Sequence, residues 1–486
     1  KHSLQNEIIL KMLLASVIGG AVLLFIIFIV FASIISLSTP EFEIQENSIL
    51  KIDLNSTLVE RAQDNPLAAI DPISGAPEAA LGLNDLRAAL AAAKTDDKII
   101  GVYLTGGIPL GSAASVKEIR DALIDFKSSG KFVYGYSEIV SQKGLYIATA
   151  ADSFFVNPEG FLEWTGLSAS VTYYKQALDK LGVEPVVFRA TGNKFKSAVE
   201  PFLTQEMSAE NKLQLSEMLS SLWGTYLDDI AASTTLSAER LNQLADDFAV
   251  ADARKAAEVG LIDGVRYEDE MVALLLKETG KEHMDEVAFL SVAKYAEGKD
   301  MRGNSSYSKE KIALVIAQGE IQSGEGDEYT IGSQRIAHAI RDAREDEAIK
   351  AIVLRVNSPG GSALASEVIW REVDLARQVK PVIASFGGVA ASGGYYISCF
   401  ADTIVAEANT ITGSIGAFGL FFTAEELLND KLGINIETVT TNKFADLGTI
   451  DRDLTDMERK ILVNQIDQVY NTFTKRVAEG RGLSQA

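Results

Sequence analysis

The sequence repeats one pattern of residues at a distance of about 250 positions. The matched segments are 100–104 with 350–354, 109–112 with 359–362, 144–147 with 394–397 and, with one residue of drift, 193–195 with 442–444. Two copies of one pattern in a chain of 486 residues predict two similar domains of roughly 200 to 230 residues, each long enough to bury its own core.

Within each copy, strand-like apolar runs alternate with helix-like amphipathic runs, which predicts an α/β fold. In the second copy we predict strands at 311–316, 351–356, 381–385 and 402–406, and helices at 333–344 and from the turn 357–361 through 375. A helical stretch at 208–234 in the first copy resembles one at 455–477 in the second. The predicted regions are 1–40 as an N-terminal anchor, 41–284 as the first copy, 285–309 as a polar linker and 310–486 as the second copy.

The segment from Met12 to Leu37 contains no charged residue over 26 positions. About 20 apolar residues are enough to cross a bilayer, so this segment predicts a transmembrane helix. A cleavable signal peptide is the alternative, but its apolar region is usually shorter, about 7 to 15 residues. Lys1 and Lys11 precede the segment and Glu41 follows it. This asymmetry predicts a cytoplasmic N-terminus, with both large domains in the periplasm of a bacterium and the anchor in its inner membrane.

The formal charge of the chain is −22. This charge disfavours nucleic acid as a partner, because phosphate backbones bind basic surfaces. The chain has only three histidines. Their scarcity argues against both a Ser-His-Asp triad and a histidine-based metal site.

The two copies differ at positions that could carry chemistry. Ser392 in the second copy faces Gln142 in the first, whereas Lys196 in the first copy faces Ala445 in the second. A serine hydroxyl can attack a carbonyl when a neighbouring base removes its proton, and a buried lysine can be that base because desolvation lowers its pKa. A nucleophile and a base divided between two diverged copies are therefore the simplest functional interpretation.

Small residues surround the predicted nucleophile. Ser392 lies between alanines and glycines where a strand leads into a helix, and backbone N–H groups near a helix start can bind an oxyanion. The turn with Gly360 and Gly361 could present a second N–H donor without a side chain in the way. Ser414 faces Leu167 in the other copy, and its hydroxyl could orient the lysine amine; an ordinary turn serine is the alternative.

These residues together resemble the long form of signal peptide peptidase A, or protease IV, a serine peptidase family with the Clp protease/crotonase type of fold. The resemblance covers the anchor and both copies. Its most specific segments are 195–201, 357–362, 390–395 and 412–416.

This resemblance implies that Ser392 is the nucleophile, Lys196 the general base and Ser414 the residue that holds the lysine. It implies an oxyanion hole made by the amides of Gly361, Gly360 and Ser392. It also implies a homotetrameric bowl on the membrane that cleaves signal peptides left after secretion, a reaction that needs neither a metal nor a cofactor.

Two alternatives remain open from the sequence. A crotonase-like enzyme acting on acyl-CoA thioesters would use the same fold without the Ser/Lys pair, and a non-catalytic membrane scaffold would use the repeat only for assembly. The pattern of the first copy also continues to Gly264, past the point that corresponds to Ala486. We therefore expect the last domain to be incomplete in this sequence.

Overall fold

The computed structural model describes residues 12, 19–20, 23–26, 43–62, 80–299 and 308–485. Within these residues, no helix combines the length and the apolar character that a membrane crossing requires. The transmembrane helix predicted from Met12 to Leu37 lies mostly outside the described residues and stays a prediction.

The first half of the chain forms a six-stranded sheet in which all paired neighbours are parallel, in the order β8-β6-β5-β4-β1-β9. The strands of this half are β1 Ser48–Asp53, β2 Leu58–Val59, β3 Leu81–Gly82, β4 Ile99–Thr105, β5 Phe132–Val140, β6 Ser153–Leu162, β7 Glu184–Arg189, β8 Gly264–Val265 and β9 Phe289–Ser291. Strands β2 and β3 pair with each other, and β7 lies outside the sheet.

Helices cover both faces of this sheet, as the α/β prediction requires. They are α1 Leu83–Thr95, α2 Ala113–Lys127, α3 Gln142–Ala148, α4 Lys175–Leu181, α5 Glu200–Leu203, α6 Ala209–Ser233, α7 Ala238–Asp246, α8 Ala253–Glu258, α9 Glu268–Thr279 and α10 Val292–Gly298. The main core lies on one face and includes Leu86 and Leu104. A smaller core on the other face packs Met271 and Leu275 of α9 against Ile49.

The second half forms a parallel sheet in the order β10-β13-β14-β15, with β16 beside the end of β14. Its strands are β10 Lys311–Gln318, β11 Glu320–Gln322, β12 Thr330–Gly332, β13 Ile349–Ser358, β14 Val382–Ala391, β15 Thr403–Val405, β16 Ile411–Gly413 and β17 Phe418–Thr423. Its helices are α11 Ser333–Glu345, α12 Ala363–Arg377, α13 Gly393–Ser398 and α14 Asp456–Arg481.

The observed elements reproduce the internal repeat. Helices α1 and α11 begin and end 250 positions apart, and so do α2 and α12. The long helices α6 and α14 begin 247 positions apart, after the N-cap residues Ser208 and Thr455. The alignment of the two copies and the predicted α/β class are therefore confirmed.

The predicted linker is wrong over part of its length. Residues 289–298 form β9 and α10, and β9 extends the first sheet by pairing with β1. Apolar side chains explain this placement, because Leu290 and Tyr295 are buried in the core of the first half. Of the predicted linker, residues 300–307 lie outside the described part of the chain.

A strand pairing and a buried ion-pair cluster are among the contacts that fix the halves against each other. Strand β7 of the first half pairs antiparallel with β17 of the second. Arg355 of β13 forms ion pairs with Glu60 and Glu118 of the first half, and all three side chains are almost fully buried. Buried charges are tolerated only when they are paired and hydrogen-bonded, so this cluster holds the two sheets in one relative position.

Candidate active site

Ser392 lies at the junction between β14 and α13, where it is the N-cap residue. Its backbone has φ 53° and ψ −117°, a conformation that non-glycine residues rarely adopt and that costs on the order of 1–3 kcal/mol. Its amide donates a hydrogen bond to the Gly413 carbonyl at 2.9 Å, which ties the turn to β16. The fold therefore imposes this sharp turn, and the turn places the hydroxyl in a groove between the two halves.

Lys196 reaches this hydroxyl from the other half of the chain. It lies in the turn between β7 and α5, and the pairing of β7 with β17 carries that turn across to the second half. Asn193 secures the approach, since its Nδ2 donates to the Ile415 carbonyl at 3.1 Å. The Lys196 Nζ consequently lies 3.1 Å from the Ser392 Oγ.

The environment of Lys196 suits a general base. Its side chain is 6% exposed. Desolvation by burial lowers the pKa of its ammonium from 10.5 to about 8. Among the described residues, no carboxylate lies within ion-pair distance of its Nζ. About a tenth of this lysine is therefore neutral at pH 7, far more than at the ordinary pKa of 10.5.

Ser414 supplies the other two contacts of the amine. It follows β16 and has a positive φ of 49°. Its carbonyl oxygen lies 2.7 Å, and its Oγ 2.9 Å, from the Lys196 Nζ. The structure thus brings together the three side chains that the sequence predicted for catalysis, and these two contacts aim the amine at Ser392.

The predicted oxyanion donors need correction. The Ser392 amide is already bonded to the Gly413 carbonyl, and the Gly360 amide donates to the Ser358 Oγ at 3.1 Å. In the part of the chain that the structure describes, no hydrogen bond is found from the amides of Gly361 or Gly393. Gly393 is the first residue of α13, where amides lack an intrahelical acceptor. The geometry therefore favours Gly361 and Gly393 as the donor pair.

Glycine is required at the turn beside the nucleophile. A Cβ on Gly360 would come within 2.7 Å of both the Gly393 nitrogen and the Ser392 Cβ. A Cβ on Gly361 would lie 2.1 Å from the Ile321 carbonyl oxygen. Both glycines also have positive φ angles, 105° and 149°. A side chain at either position would therefore displace the backbone beside the nucleophile.

The serine and the lysine open into a groove of about 850 Å³. Most of its walls are apolar and come from both halves of the chain. The larger apolar lining residues are Phe195, Leu215, Met218, Leu222, Pro359, Ile411, Ile415 and Phe418. A groove of this volume and apolar lining can accept an apolar peptide segment beside the Ser392 hydroxyl.

The corresponding place in the first copy has no such chemistry. Gln142 begins α3, and its side-chain oxygen accepts hydrogen bonds from the amides of Thr165 and Gly166. Its Nε2 donates to the Gly166 carbonyl at 3.1 Å. Ala445, which corresponds to the lysine, has no functional group and is exposed. Gln142 therefore stabilises the loop at 165–166, whereas Ser392, at the equivalent position of the second copy, opens into the groove.

Sequence reasoning did not identify Gly393 or Asn193 as functional residues. The position of Gly393 directly after the nucleophile, at a helix start, was a usable signal. Asn193 carried none, because its counterpart in the alignment of the two copies is also an asparagine, Asn442.

Comparison with known proteins places these features in a family. The model of Peptidase family S49 matches residues 125–281 and 374–486. The chloroplastic serine protease SPPA of Arabidopsis thaliana is 35% identical over 409 residues, covering 83% of this chain and 60% of that protein. Protease 4 of Haemophilus influenzae is 36% identical over 410 residues, covering 82% of this chain and 66% of its own length. Protease 4 of Salmonella typhi is 34% identical over 448 residues, which are 89% of this chain and 71% of that protein.

Among solved structures, a ClpP1 mutant from Listeria monocytogenes aligns with 35% of this chain and 74% of its own at 16% identity. The TM-score of 0.23 is too low to carry an argument about the fold. The chain spans 60% and 66% of the lengths of the Arabidopsis and Haemophilus relatives. The family model nevertheless matches in both halves, over more than half of the chain, and the chain therefore belongs to Peptidase family S49.

Proposed function

We propose that this chain is a membrane-anchored serine endopeptidase that degrades cleaved signal peptides with a Ser392/Lys196 dyad. The observation that carries the proposal is the 3.1 Å contact between the Lys196 Nζ and the Ser392 Oγ. It joins a base from one half to a nucleophile from the other, at a lysine that is buried and has no carboxylate partner among the described residues.

Each catalytic step has a group in place. Neutral Lys196 takes the Ser392 proton while the Oγ attacks the carbonyl carbon of the peptide bond. The amides of Gly361 and Gly393 donate to the resulting oxyanion. The lysine ammonium then protonates the leaving amine, which departs as the carbonyl re-forms, and an ester to Ser392 remains. Lys196 next removes a proton from water, the water attacks the ester, and the peptide acid leaves as the Ser392 hydroxyl is restored.

The groove supports apolar peptides as substrates. Met218 and Leu222 line one side, and Ile411 and Ile415 line the other. The apolar core of a cleaved signal peptide would bury its side chains against these walls, and burial of apolar surface favours binding. The predicted anchor would hold the groove outside the cytoplasm, near the bilayer that contains such peptides.

Two unpaired segments support head-to-tail assembly. Residues 168–173 correspond to β17 and residues 434–439 to β7, but neither segment forms a strand. Within the chain, β7 and β17 pair antiparallel across the halves. Ile434, Ile436 and Val439 are exposed at 47%, 50% and 99%. Pairing of 434–439 with 168–173 of a second copy would repeat the internal contact, and we propose that this pairing closes into a homotetramer.

The proposal is tested by hydrolysis of an apolar signal-peptide substrate. Ser392→Ala and Lys196→Ala should both abolish cleavage, while Lys194→Ala, an exposed lysine two positions away, should not. Circular dichroism checks the fold of each variant. Retained activity in either of the first two variants would remove that residue from the mechanism. If wild-type protein does not cleave peptides, an acyl-CoA enzyme or a scaffold becomes the better explanation.

A further inference from the structure

A buried carboxylate lies four residues after the lysine of the dyad. Glu200 is 4% exposed and begins α5. Its Oε1 accepts a hydrogen bond from the Ser208 Oγ at 2.6 Å, and its Oε2 accepts from the Asn211 Nδ2 at 3.1 Å and from the Ser208 amide at 3.4 Å. These donors belong to the start of α6. The carboxylate therefore fastens the lysine turn to the amino end of that helix.

A second contact joins the same two elements. The Gln214 Nε2 donates to the Ser197 Oγ at 2.6 Å and to the Asn211 Oδ1 at 3.0 Å. Ser197 directly follows the lysine, and Gln214 lies on α6 among the residues that line the groove. One hydrogen-bonded network thus joins Ser197 and Glu200, which follow the base, to the helix that forms a wall of the groove.

The second copy caps its long helix in a different way. In α14, Glu458 occupies the place that Asn211 has in α6, three residues after the N-cap. Its Oε2 accepts from the Thr455 amide at 2.7 Å and from the Thr455 Oγ1 at 2.8 Å. A glutamate at this position of a helix satisfies the N-cap by itself. The second copy therefore has an acid within its helix where the first copy takes one from the lysine turn.

The source of the capping carboxylate differs between the copy that carries the base and the copy that lacks it. The copy with Ala445 in place of the lysine caps its helix internally, and the copy with Lys196 draws the capping carboxylate from the turn that carries the base. A cap for α6 alone would not need Glu200, because a glutamate in place of Asn211 would supply it. In the second copy the corresponding turn is connected to α14 through a third side chain, since Arg452 lies 2.9 Å from Asp446 and 2.7 Å from Glu458. In the first copy Glu200 makes the connection directly.

We propose that Glu200 is a positioning residue that locks the Lys196 turn to α6, so that the base and one wall of the peptide groove keep a fixed relative position. This inference rests on the proposed peptidase function. Glu200 would act through the position and burial of the lysine, without contact with the substrate.

The test separates positioning from stability. Glu200→Ala removes the link together with the carboxylate that accepts from the N-cap residue Ser208. The double variant Glu200→Ala with Asn211→Glu restores a capping carboxylate in the manner of α14 but leaves the turn without its Glu200 link. Both variants should lose about 10- to 100-fold in kcat/KM, since small displacements of a catalytic group have effects of this size. Only the double variant should recover the wild-type melting temperature. Glu206→Gln, an exposed acid in the same loop, is the matched control and should leave both quantities unchanged.

The pH profile of kcat/KM gives the second measurement. A released turn exposes Lys196 to water, so the midpoint should move up from about 8 toward 10.5 in the double variant. A stable double variant with the wild-type kcat/KM and midpoint would overturn the inference. If that variant does not fold, Glu200→Gln keeps the shape of the side chain but removes its charge and one of the two accepting oxygens; the same upward movement supports the inference and an unchanged midpoint overturns it. Ser392→Ala in the same assay tests the dyad, so its continued activity would refute the proposed function instead.

Discussion

Arg476 on α14 takes the place that Asp229 has on α6, and the two residues form ion pairs of opposite polarity. Asp229 lies 3.3 Å from Lys117 of α2, whereas Arg476 lies 2.6 Å from Glu367 of α12. In each copy a tyrosine hydroxyl also donates a hydrogen bond to the acidic residue of the ion pair. Tyr146 donates to Asp229 in the first copy, and Tyr396 donates to Glu367 in the second. If α14 docked on the first copy, Arg476 would face Lys117, and if α6 docked on the second copy, Asp229 would face Glu367. Either exchange would bring like charges together. The reversed polarity therefore favours docking of each helix on its own copy.

A charge exchange in the second copy tests this relationship. Glu367→Lys alone places two cations together and should lower the free energy of unfolding by about 2 kcal/mol. Adding Arg476→Asp rebuilds the polarity of the first copy and should recover about half of the loss. Recovery stays partial because Arg476 also lies over the Trp370 ring, 3.7 Å from its centroid. Chemical denaturation measures Glu367→Lys, Arg476→Asp and the double variant, and a double variant as unstable as the sum of the single changes would contradict the interpretation.

The activity should rise with pH through the titration of Lys196. Only the neutral amine can accept the Ser392 proton, and its pKa is lowered to about 8. We expect kcat/KM to increase roughly tenfold per pH unit below that value and to level off above it. Lys196→Arg keeps a charged side chain and should be inactive at every pH tested. A midpoint near 10.5 would show that the lysine is hydrated in the working enzyme.

The sequence predicted the residues of the site better than their contacts. Ser392, Lys196 and Ser414 were found because side chains present in one copy and missing from the other mark specialised positions. The contact between Ser392 and Lys196 depends on the pairing of β7 with β17, which joins distant segments and leaves no local pattern. The oxyanion donors were partly wrong because the positive φ of Ser392 accompanies the bond of its amide to Gly413, a backbone detail set by tertiary structure.

In the fold too, elements with a local sequence pattern were predicted, and an element that depends on contacts with distant residues was missed. Helices α11 and α12 follow apolar periodicity and lie where they were predicted, with differences of a few residues at their ends. Strand β9 was missed because it is three residues long and is stabilised by pairing with β1 and by burial of Leu290. A run that short gains its structure from its neighbours, so periodicity cannot identify it.

Replacing the base should stabilise the protein while it abolishes activity. A pKa of about 8 in the folded state, against 10.5 as the ordinary value, means that folding below pH 8 buries a charge at a cost of about 3 kcal/mol. Between these two values the unfolded chain binds a proton that the folded chain does not, so this cost falls as the pH rises and disappears above 10.5. Lys196→Met removes the charge but loses the contacts with Ser414.

We therefore expect Lys196→Met to gain about 1–2 kcal/mol in the free energy of unfolding at pH 7, and to lose about 1 kcal/mol at pH 10, where little desolvation cost is left to relieve and the contacts with Ser414 are still missing. Chemical denaturation at the two pH values measures the difference. Lys194→Met, at an exposed position, is the control and should change little at either pH. A loss of stability at pH 7 would mean that the hydrogen bonds to Ser414 outweigh the desolvation of the ammonium.

Assembly through the unpaired segments should depend on Ile436. It corresponds to Val186 of β7, which is 3% exposed because β7 is paired, whereas Ile436 is 50% exposed in the single chain. If 434–439 pairs with 168–173 of a second copy, Ile436→Asp buries a carboxylate without a partner and should shift the protein toward smaller species by at least tenfold in Kd. Light scattering of size-separated protein measures this shift. Val379→Asp, at a position 65% exposed after α12, is the control. An unchanged oligomer in the Ile436 variant would place the subunit contact on another surface.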